Sequence, residues 1–517
     1  MHLRRLAVSI LTGLLLAASA LSGAARAEGD ADPVWPTRQW QSSAPEEQGM
    51  DSGALARLVN FGAAHSLDSL LIARHGRIVL DAYYAPYTPE IPHLFNSVTK
   101  AVTGTLVAML LRDKVLDSLD HHMMDFFGDR SIANLDDRKR AITIQTMLNM
   151  TSGMAWTEGV EGGRPESLIE WGRSPDAIQF ILDRPMAKAP GEAFYYNTGN
   201  PQLLAAIVNK LTGVSARDYA VTKLFRPLGI AAPYWHSIGP GLTQGGGGLL
   251  LAPRDAAKIG LLYLHDGEWE GQRLLPSGWV DRIRHATTEM HTSFDPSLHY
   301  ANFFWVMPKQ QAFMAVGDRC QLIMIFPALD IVTVVTARNY CSFGRMADDV
   351  SGAVKSDTAL PVNSAGGNQL AAALRDSATE KPSAIGAVPE TAAAISGKTW
   401  RFPANGLNLR ALTLYLTDPS ARYELETTPD PARPVVRLAG PIGLDGTYRL
   451  GQPTPLGVMA LKGTWQTAET FAIDLRLVGG DTDRKWLLTF DGGKARLSGK
   501  DRFGQDVQVD AEAQGGP

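Results

Sequence analysis

The pattern of apolar residues in this 517-residue chain changes character near residue 356, and this change limits the folds that the chain can adopt. Between residues 97 and 264, runs with helical periodicity predominate, and strand-like runs lie on both sides of them. That order is typical of an α+β domain whose sheet joins N-terminal and C-terminal strands. From about residue 396 onward, short alternating runs such as LTLYLT and FAIDLRLVG are separated by turn residues, which predicts an all-β sandwich or barrel.

These patterns set the expected domain boundaries, because a chain of this length exceeds what one hydrophobic core can serve. We expect an α+β domain over residues 28–355 and a small all-β domain over residues 396–517. The stretch between them, residues 356–395, is rich in Ala, Ser, Pro and Gly and has one short helical patch around residues 370–374. Its composition predicts a linker.

The first 27 residues, MHLRRLAVSILTGLLLAASALSGAARA, have the layout of a signal peptide. A basic start precedes an apolar run over residues 6–21, and Ala25-Arg26-Ala27 forms a small-x-small cleavage site. The alternative, a membrane anchor, is less favoured because the run is short and interrupted by Ser and Gly. Twin-arginine export stays open. We therefore expect a periplasmic or secreted protein with no stable membrane anchor after cleavage.

Charge and cysteine content give two further expectations. The formal net charge of −4 gives no reason to expect nucleic acid as a partner. Cys320 and Cys341 are the only cysteines, and two strand-like runs around a short turn separate them. Folding that hairpin brings both cysteines to its open end, so a disulfide is expected in an exported chain. Two buried free thiols are the alternative.

The segment FNSVTKAVTGTLVAMLL, residues 95–111, places a serine and a lysine three residues apart at the start of an apolar helix. This spacing brings Ser97 and Lys100 together on one helix face. A lysine desolvated by its neighbours has a lowered pKa and can accept the serine proton, which makes the serine a nucleophile. A lone Ser-x-x-Lys also occurs in ordinary capped helices. In PGEAFYYNTGN, further along, Tyr195 is a candidate proton shuttle and Asn197 a candidate for holding a substrate carbonyl.

Taken in order, SVTK, MLNMTSGM, PGEAFYYNTGN, GGGGLLLAPRDAAKIGLLYL and the hairpin from residue 320 resemble the serine β-lactamase/penicillin-binding-protein superfamily. Within it, they are most similar to class C-type esterases, D-amino-acid peptidases and 6-aminohexanoate-dimer hydrolase. The resemblance covers about residues 43–353. It implies a β-lactamase/transpeptidase-like fold, a mixed sheet against a helical cluster with the active site between them, and no metal or cofactor.

The resemblance also implies roles for four residues. Ser97 is the nucleophile that becomes acylated, and Lys100 is its proton acceptor. Tyr195 protonates the leaving group and activates water, and Asn197 orients the substrate.

The third motif of that superfamily, Lys-Thr-Gly or His-x-Gly, is altered in this chain. By position it is Asp318-Arg319-Cys320, between Gly317 and Gln321. Backbone N–H groups survive side-chain changes, so an oxyanion hole from the Ser97 and Gln321 amides is expected to remain. Arg319 either binds a substrate carboxylate or only pairs with Asp318. The altered motif argues against a true β-lactamase and favours a less anionic substrate.

The predicted function is that of an exported serine hydrolase that cleaves a small-molecule amide or ester through an acyl-enzyme on Ser97. Trp235 is a candidate wall of the substrate pocket or a half-buried loop residue. Two alternatives stay open, a penicillin-interacting D-peptidase or β-lactamase, and a catalytically silent ligand-binding homologue. For the all-β domain, the sequence supports only a packing or polymer-binding appendage.

Overall fold

The computed structural model describes residues 35–159, 164–231, 233–292, 295–339, 341–417, 420–428, 435–454, 457–480, 483–501 and 504–514. The predicted signal peptide therefore lies outside the described residues. In the part of the chain that is described, no helix has both the length and the apolar character needed to cross a membrane.

The helices belong mostly to the first two thirds of the chain. They are α1 (Ser52–Ala64), α2 (Val98–Arg112), α3 (Met124–Phe127), α4 (Asp137–Arg140), α5 (Ile144–Leu148), α6 (Glu166–Trp171), α7 (Ala177–Leu182), α8 (Gly199–Thr212), α9 (Ala216–Ala220), α10 (Pro253–Leu264), α11 (Trp279–Arg284), α12 (Phe343–Ala353), α13 (Ser364–Ser377) and α14 (Glu390–Ile395). Short 3-10 turns lie at Pro45–Gln48, Pro308–Gln310 and Pro327–Leu329, and a π-helical turn at Val221–Phe225.

The strands fall into two groups. Those before α12 are β1 (Gln41–Ser42), β2 (Leu67–Arg74), β3 (Arg77–Tyr83), β4 (His93–Leu94), β5 (Tyr234–Trp235), β6 (Ser237–Gly239), β7 (Leu242–Thr243), β8 (Leu249–Leu251), β9 (Glu268–Trp269), β10 (Gln272–Arg273), β11 (Thr288–Glu289), β12 (His299–Ala301), β13 (Phe304–Met307), β14 (Ala312–Gly317), β15 (Gln321–Phe326) and β16 (Ile331–Ala337). Those after α14 are β17 (Thr399–Arg401), β18 (Leu409–Tyr415), β19 (Arg422–Thr427), β20 (Val436–Pro441), β21 (Arg449–Thr454), β22 (Gly457–Trp465), β23 (Thr470–Val478), β24 (Asp483–Asp491), β25 (Lys494–Lys500) and β26 (Asp506–Gln514).

A nine-stranded mixed sheet forms the centre of the first domain, in the order β1-β3-β2-β16-β15-β14-β13-β12-β11. The N-terminal strand β2 pairs antiparallel with β16, so the sheet joins both sequence ends of the domain as predicted. Every residue of β2 and β16 is buried. Helices therefore cover both faces of these strands, as their continuous apolar sequences require. The α+β fold of the β-lactamase/transpeptidase type is confirmed.

Part of the segment predicted as a linker is helical and belongs to the first domain. Leu370 and Ala373 of α13 are buried in the same core as the nine-stranded sheet, and α13 packs against α1. The Ala85 N–H donates to the Ser377 carbonyl oxygen at 2.9 Å. Small residues on α13 let the two helices approach closely, so few large apolar side chains are needed. Within the predicted linker, residues 356–363 and residues 378–389 have neither helix nor strand.

The last ten strands form one antiparallel sheet in the order β20-β19-β18-β17-β26-β25-β24-β23-β22-β21. A parallel bridge joins Gly443, just after the end strand β20, to Lys462 in β22, which lies next to the opposite end strand, so the sheet is barrel-like. Trp400, Phe471 and Phe490 fill its interior. The prediction of a C-terminal all-β domain of sandwich or barrel type is confirmed.

Candidate active site

Ser97 is placed by the start of helix α2. It is the residue immediately before Val98, and Lys100 follows within the first helical turn. The Lys100 Nζ donates to the Ser97 Oγ at 2.6 Å and to the Gly246 carbonyl oxygen at 3.0 Å. The Ser97 N–H is one of the first-turn amides that have no partner inside the helix, so it is a donor for a negative oxygen. The structure thus brings the two predicted residues into direct contact.

Burial changes the proton affinity of Lys100, which is 1% exposed. Removal of its ammonium group from water lowers its pKa from 10.5 to about 8, and the nearby Glu158 carboxylate opposes this shift. A lysine with this pKa is partly neutral in mildly alkaline solution. It can then accept a proton from a hydroxyl group.

The tyrosine beside this pair is Tyr196, which corrects the assignment of Tyr195. The Lys100 Nζ lies 4.8 Å from the centre of the Tyr196 ring, and the Tyr196 hydroxyl interacts with that of Ser97. Tyr196 is buried between Tyr300 and Trp305, whose ring centres lie 6.5 and 6.4 Å away. Tyr195, the preceding residue, is half-buried.

The reason for this correction is geometric. Neighbouring side chains of a non-helical segment point in different directions, so only one of the two tyrosines can face Ser97. The aromatic surroundings select Tyr196. Burial, and next the Glu158 carboxylate, raise the pKa of Tyr196 far above its ordinary value, so the hydroxyl is protonated at neutral pH and can donate.

Sequence reasoning missed Glu158, a buried carboxylate at the back of the site. Its Oε1 lies 3.8 Å from the Lys100 Nζ, and its side chain is 8% exposed. Its Oε2 accepts from the Trp156 Nε1 at 2.8 Å and from the Thr198 N–H at 2.7 Å, and the Thr198 hydroxyl donates to Oε1. Glu158 therefore connects Lys100 to the segment that carries Tyr196. No spacing rule could have found it, because it lies in an irregular segment far from Lys100 in sequence.

Asn197 lies next to Tyr196, but its side chain caps a helix. Its Oδ1 accepts from the Gly199 N–H at 2.7 Å, at the start of α8. Its buried Nδ2 has no hydrogen-bond partner among the described residues. The amide nitrogen predicted to orient the substrate is therefore buried, and its role stays a prediction.

The polar groups of the Trp235 and Gln321 side chains bind backbone carbonyl oxygens near the site, so they are not directed at a substrate. Trp235 is 1% exposed, and its Nε1 donates to the carbonyl oxygens of Gln244 and Gly247 at 2.9 and 3.2 Å. It thereby holds the glycine-rich turn whose Gly246 carbonyl receives Lys100. This corrects its expected place in the pocket wall, because its polar edge is occupied by the turn.

The Gln321 side chain is likewise engaged. Its Nε2 donates to the Ala337 carbonyl oxygen at 2.6 Å and to that of Arg319 at 3.2 Å. Its side chain therefore holds the turn and β16, and the role of its backbone amide in an oxyanion hole stays a prediction.

The altered third motif forms the turn between β14 and β15, next to Ser97. Gly317 pairs with Gln321 across this turn. A Cβ on Gly317 would overlap the Phe95 carbonyl oxygen and lie 3.2 Å from the Ser97 nitrogen, so the strand end needs glycine here. The Arg319 Nε lies 3.7 Å from the Asp318 Oδ2, which supports pairing between these exposed neighbours.

A disulfide joins Cys320 and Cys341, whose Cα atoms are 5.7 Å apart. This confirms the predicted pairing. The bond ties the turn beside Ser97 to the chain that follows β16, so it stiffens that edge of the site.

The chain is similar to several known proteins. The β-lactamase family model matches residues 55–340. The 6-aminohexanoate-dimer hydrolase of Paenarthrobacter ureafaciens is 24% identical over 283 residues, which are 52% of this chain and 71% of that protein. Protein Flp of Staphylococcus aureus strain COL is 26% identical over 171 residues, which are 31% of this chain and 33% of that protein. A Bacillus anthracis protein assigned as a 6-aminohexanoate-dimer hydrolase superposes with a TM-score of 0.49 and 19% identity over 66% of this chain and 87% of that chain.

Proposed function

The chain belongs to the β-lactamase family, and from this premise we propose that it is a serine hydrolase that cleaves an amide or ester bond through an acyl-enzyme on Ser97. The observation that carries this proposal is the 2.6 Å contact between the Ser97 Oγ and the buried Lys100 Nζ. A serine hydroxyl is a poor nucleophile until a neighbouring base takes its proton. Lys100 is that base, and Tyr196 is the neighbouring proton donor.

Acylation begins when the Ser97 Oγ attacks the substrate carbonyl and its proton passes to neutral Lys100. The carbonyl oxygen becomes negative and is stabilised by the Ser97 N–H, which also benefits from the α2 dipole. The Gln321 N–H remains the predicted second donor. As the tetrahedral intermediate collapses, the bond to the amine or alcohol breaks, and the leaving group takes a proton from the Tyr196–Lys100 pair. An ester-linked acyl group stays on Ser97.

Deacylation reverses these proton transfers. Water attacks the ester carbon, and its proton passes to the Tyr196–Lys100 pair. The Ser97 Oγ then leaves with a proton from that pair, and a carboxylic acid is released. Glu158 stabilises the ammonium form of Lys100 through both steps and so limits how far burial lowers its pKa.

We also propose that the protein is exported. The leader pattern over residues 1–27 and the Cys320–Cys341 disulfide both support this, because disulfides persist in oxidising compartments. A periplasmic or secreted location follows.

The experiment that tests the proposal is burst and steady-state release of p-nitrophenol from short acyl esters, with wild type compared with Ser97→Ala. We expect a burst followed by turnover in the wild type and neither in the variant, together with a mass increase of one acyl group on Ser97. Since a relative is named for 6-aminohexanoate dimer, that compound is the first amide to try. Equal and negligible rates in both proteins, with no adduct, would favour the silent ligand-binding alternative. A penicillin adduct that persists would instead favour a D-peptidase.

A further inference from the structure

The C-terminal β domain contacts the first domain along the segment that leads to Ser97. We call this contact the domain seam. Its apolar part consists of Tyr87 and Ile91 from the first domain and Ala460 and Val478 from the β domain, all of them buried. Tyr87 also stacks on His93, with ring centres 5.2 Å apart. The seam therefore reaches β4, four residues before the nucleophile.

Two successive backbone amides at the end of β4 and just after it are held from different sides. The Leu94 N–H donates to the Gly479 carbonyl oxygen of the β domain at 2.5 Å. The Phe95 N–H donates to the Leu249 carbonyl oxygen of the first domain at 2.9 Å. β4 also pairs with β8 of the first domain, and the β domain adds a backbone contact to the same segment from the other side.

Gly479 suits this contact in two ways. Its φ of +81° lies in the left-handed region, which glycine adopts without strain. A Cβ at this position would overlap the Pro92 carbonyl oxygen. The two backbones can approach this closely only because residue 479 has no side chain.

Charged groups flank the same contact. The Arg338 Nε donates to the Asp68 Oδ1 at 2.7 Å, and the Arg338 Nη1 lies 3.5 Å from the Asp483 Oδ2 of the β domain. Arg476, also in the β domain, binds Asp483 at 3.2 Å. These directional contacts fix the orientation in which the apolar surfaces meet.

From these contacts we infer that the β domain is a positioning element of the active site, in which the Gly479 carbonyl holds the Leu94 amide and thereby sets the position of Ser97. The inference rests on the proposed function, since it concerns the same nucleophile. It gives the β domain a role beyond an appendage. A displacement of the nucleophile by a fraction of an ångström is costly, because attack requires a narrow range of distances and angles.

The test compares Gly479→Ala with Gly492→Ala in the full-length chain. Both glycines have positive φ, +81° and +58°, so both substitutions strain the backbone. Only residue 479 meets a neighbour, because a Cβ at residue 492 finds no atom within 4 Å. We expect Gly479→Ala to lower the acylation rate constant by about tenfold or more, while Gly492→Ala stays within about twofold of wild type. Hydrogen exchange at the Leu94 amide should accelerate only in Gly479→Ala.

A second pair covers the case in which Gly479→Ala does not fold. Val478→Ala loosens the apolar part of the seam, and Val509→Ala removes the same atoms from the β-domain core away from it. We expect slower acylation, by about threefold, only for Val478→Ala. If the two variants of each pair are acylated at the same rate, the inference is wrong, although the proposed acyl-enzyme is still supported. If the wild type forms no acyl-enzyme, the proposed function is wrong. In that case, unchanged hydrogen exchange at the Leu94 amide in Gly479→Ala would show independently that the Gly479 carbonyl does not hold this amide.

Discussion

Two buried ion pairs, Lys100–Glu158 at the active site and Asp68–Arg338 at the domain seam, respond differently to the same loss of water. At the active site, burial lowers the pKa of Lys100 to about 8. At the seam, burial raises the pKa of Asp68 to about 6, although Arg338 lies 2.7 Å away. Burial disfavours the charged form in both places. The group whose pKa moves toward neutral pH is the lysine in one pair and the carboxyl group in the other.

The cationic partner explains this difference. An arginine keeps its charge under all ordinary conditions, so at the seam only the carboxyl can respond. A lysine can lose its proton, so at the active site the cation responds and becomes a base. The pair distance matters as well, because the 3.8 Å separation of Lys100 and Glu158 leaves Lys100 free to bind Ser97. Buried charge therefore serves catalysis at one site and domain contact at the other.

The largest expected effect comes from a substitution that breaks the Lys100–Glu158 pair. Lys100→Met removes the base, and we expect kcat/KM for p-nitrophenyl esters to fall by roughly a thousandfold, within the range for general bases. Stopped-flow acylation measures this. Circular dichroism verifies folding, because Glu158 is left without its cation. Retention of more than a tenth of the wild-type rate would show that Lys100 is not the base.

The next effect separates the two tyrosines. Tyr196→Phe should lower kcat/KM by about a hundredfold, because it removes the hydroxyl that returns a proton to the leaving group. Tyr195→Phe is the matched control and should stay within about twofold. The reverse order of the two variants would restore the assignment from the sequence.

A smaller effect tests how Glu158 acts on Lys100. Its negative charge raises the pKa of Lys100, so Glu158→Gln should lower it and move the acid limb of the kcat/KM profile about one unit below pH 8. Activity at pH 7, relative to the maximum of each protein, should therefore increase. Thr198→Val is the control, because it removes a hydrogen bond to Glu158 without removing a charge. The acid limb of its kcat/KM profile should stay where it is in the wild type. If the acid limb does not move in Glu158→Gln, Glu158 does not set the pKa of Lys100 and its role is structural.

The smallest effect concerns the seam. The pKa of Asp68 is about 6 in the folded chain and ordinarily 3.8, so between these values the folded state binds more protons than the unfolded state. Stability therefore falls as the pH rises through this window. Asp68→Asn has no proton to lose, so the unfolding free energy of wild type minus variant should decrease by about 2 kcal/mol from pH 4 to 7. Urea unfolding at several pH values measures it, and a constant difference would contradict the expectation.

Several features of the fold and of the candidate site follow from local sequence patterns. Ser97 and Lys100 lie within one helical turn, so their contact follows from spacing alone. The sheet that pairs β2 with β16 follows from strands that bracket helices, and the β domain follows from alternation. The disulfide follows from the hairpin that its cysteines enclose.

Other parts depend on contacts that no local pattern shows. Two adjacent tyrosines are equivalent in sequence, and only the ring surroundings from β12 and β13 place Tyr196 beside Ser97. Glu158 reaches Lys100 through tertiary folding of an irregular segment. Trp235 looks like a pocket residue until its indole is seen to hold the glycine-rich turn. Gly479 gives no sign in sequence that its carbonyl contacts the segment before the nucleophile.

Helix α13 has a practical consequence for dividing the chain into fragments. A fragment that stops at residue 355 loses Leu370 and Ala373, which cover one face of α1. That bare apolar face would promote aggregation and mimic a failure of the domain to fold alone. A fragment that continues through Ser377 keeps the cover and the Ala85 hydrogen bond. Proteases should then cut preferentially within residues 378–389, where no helix or strand protects the backbone.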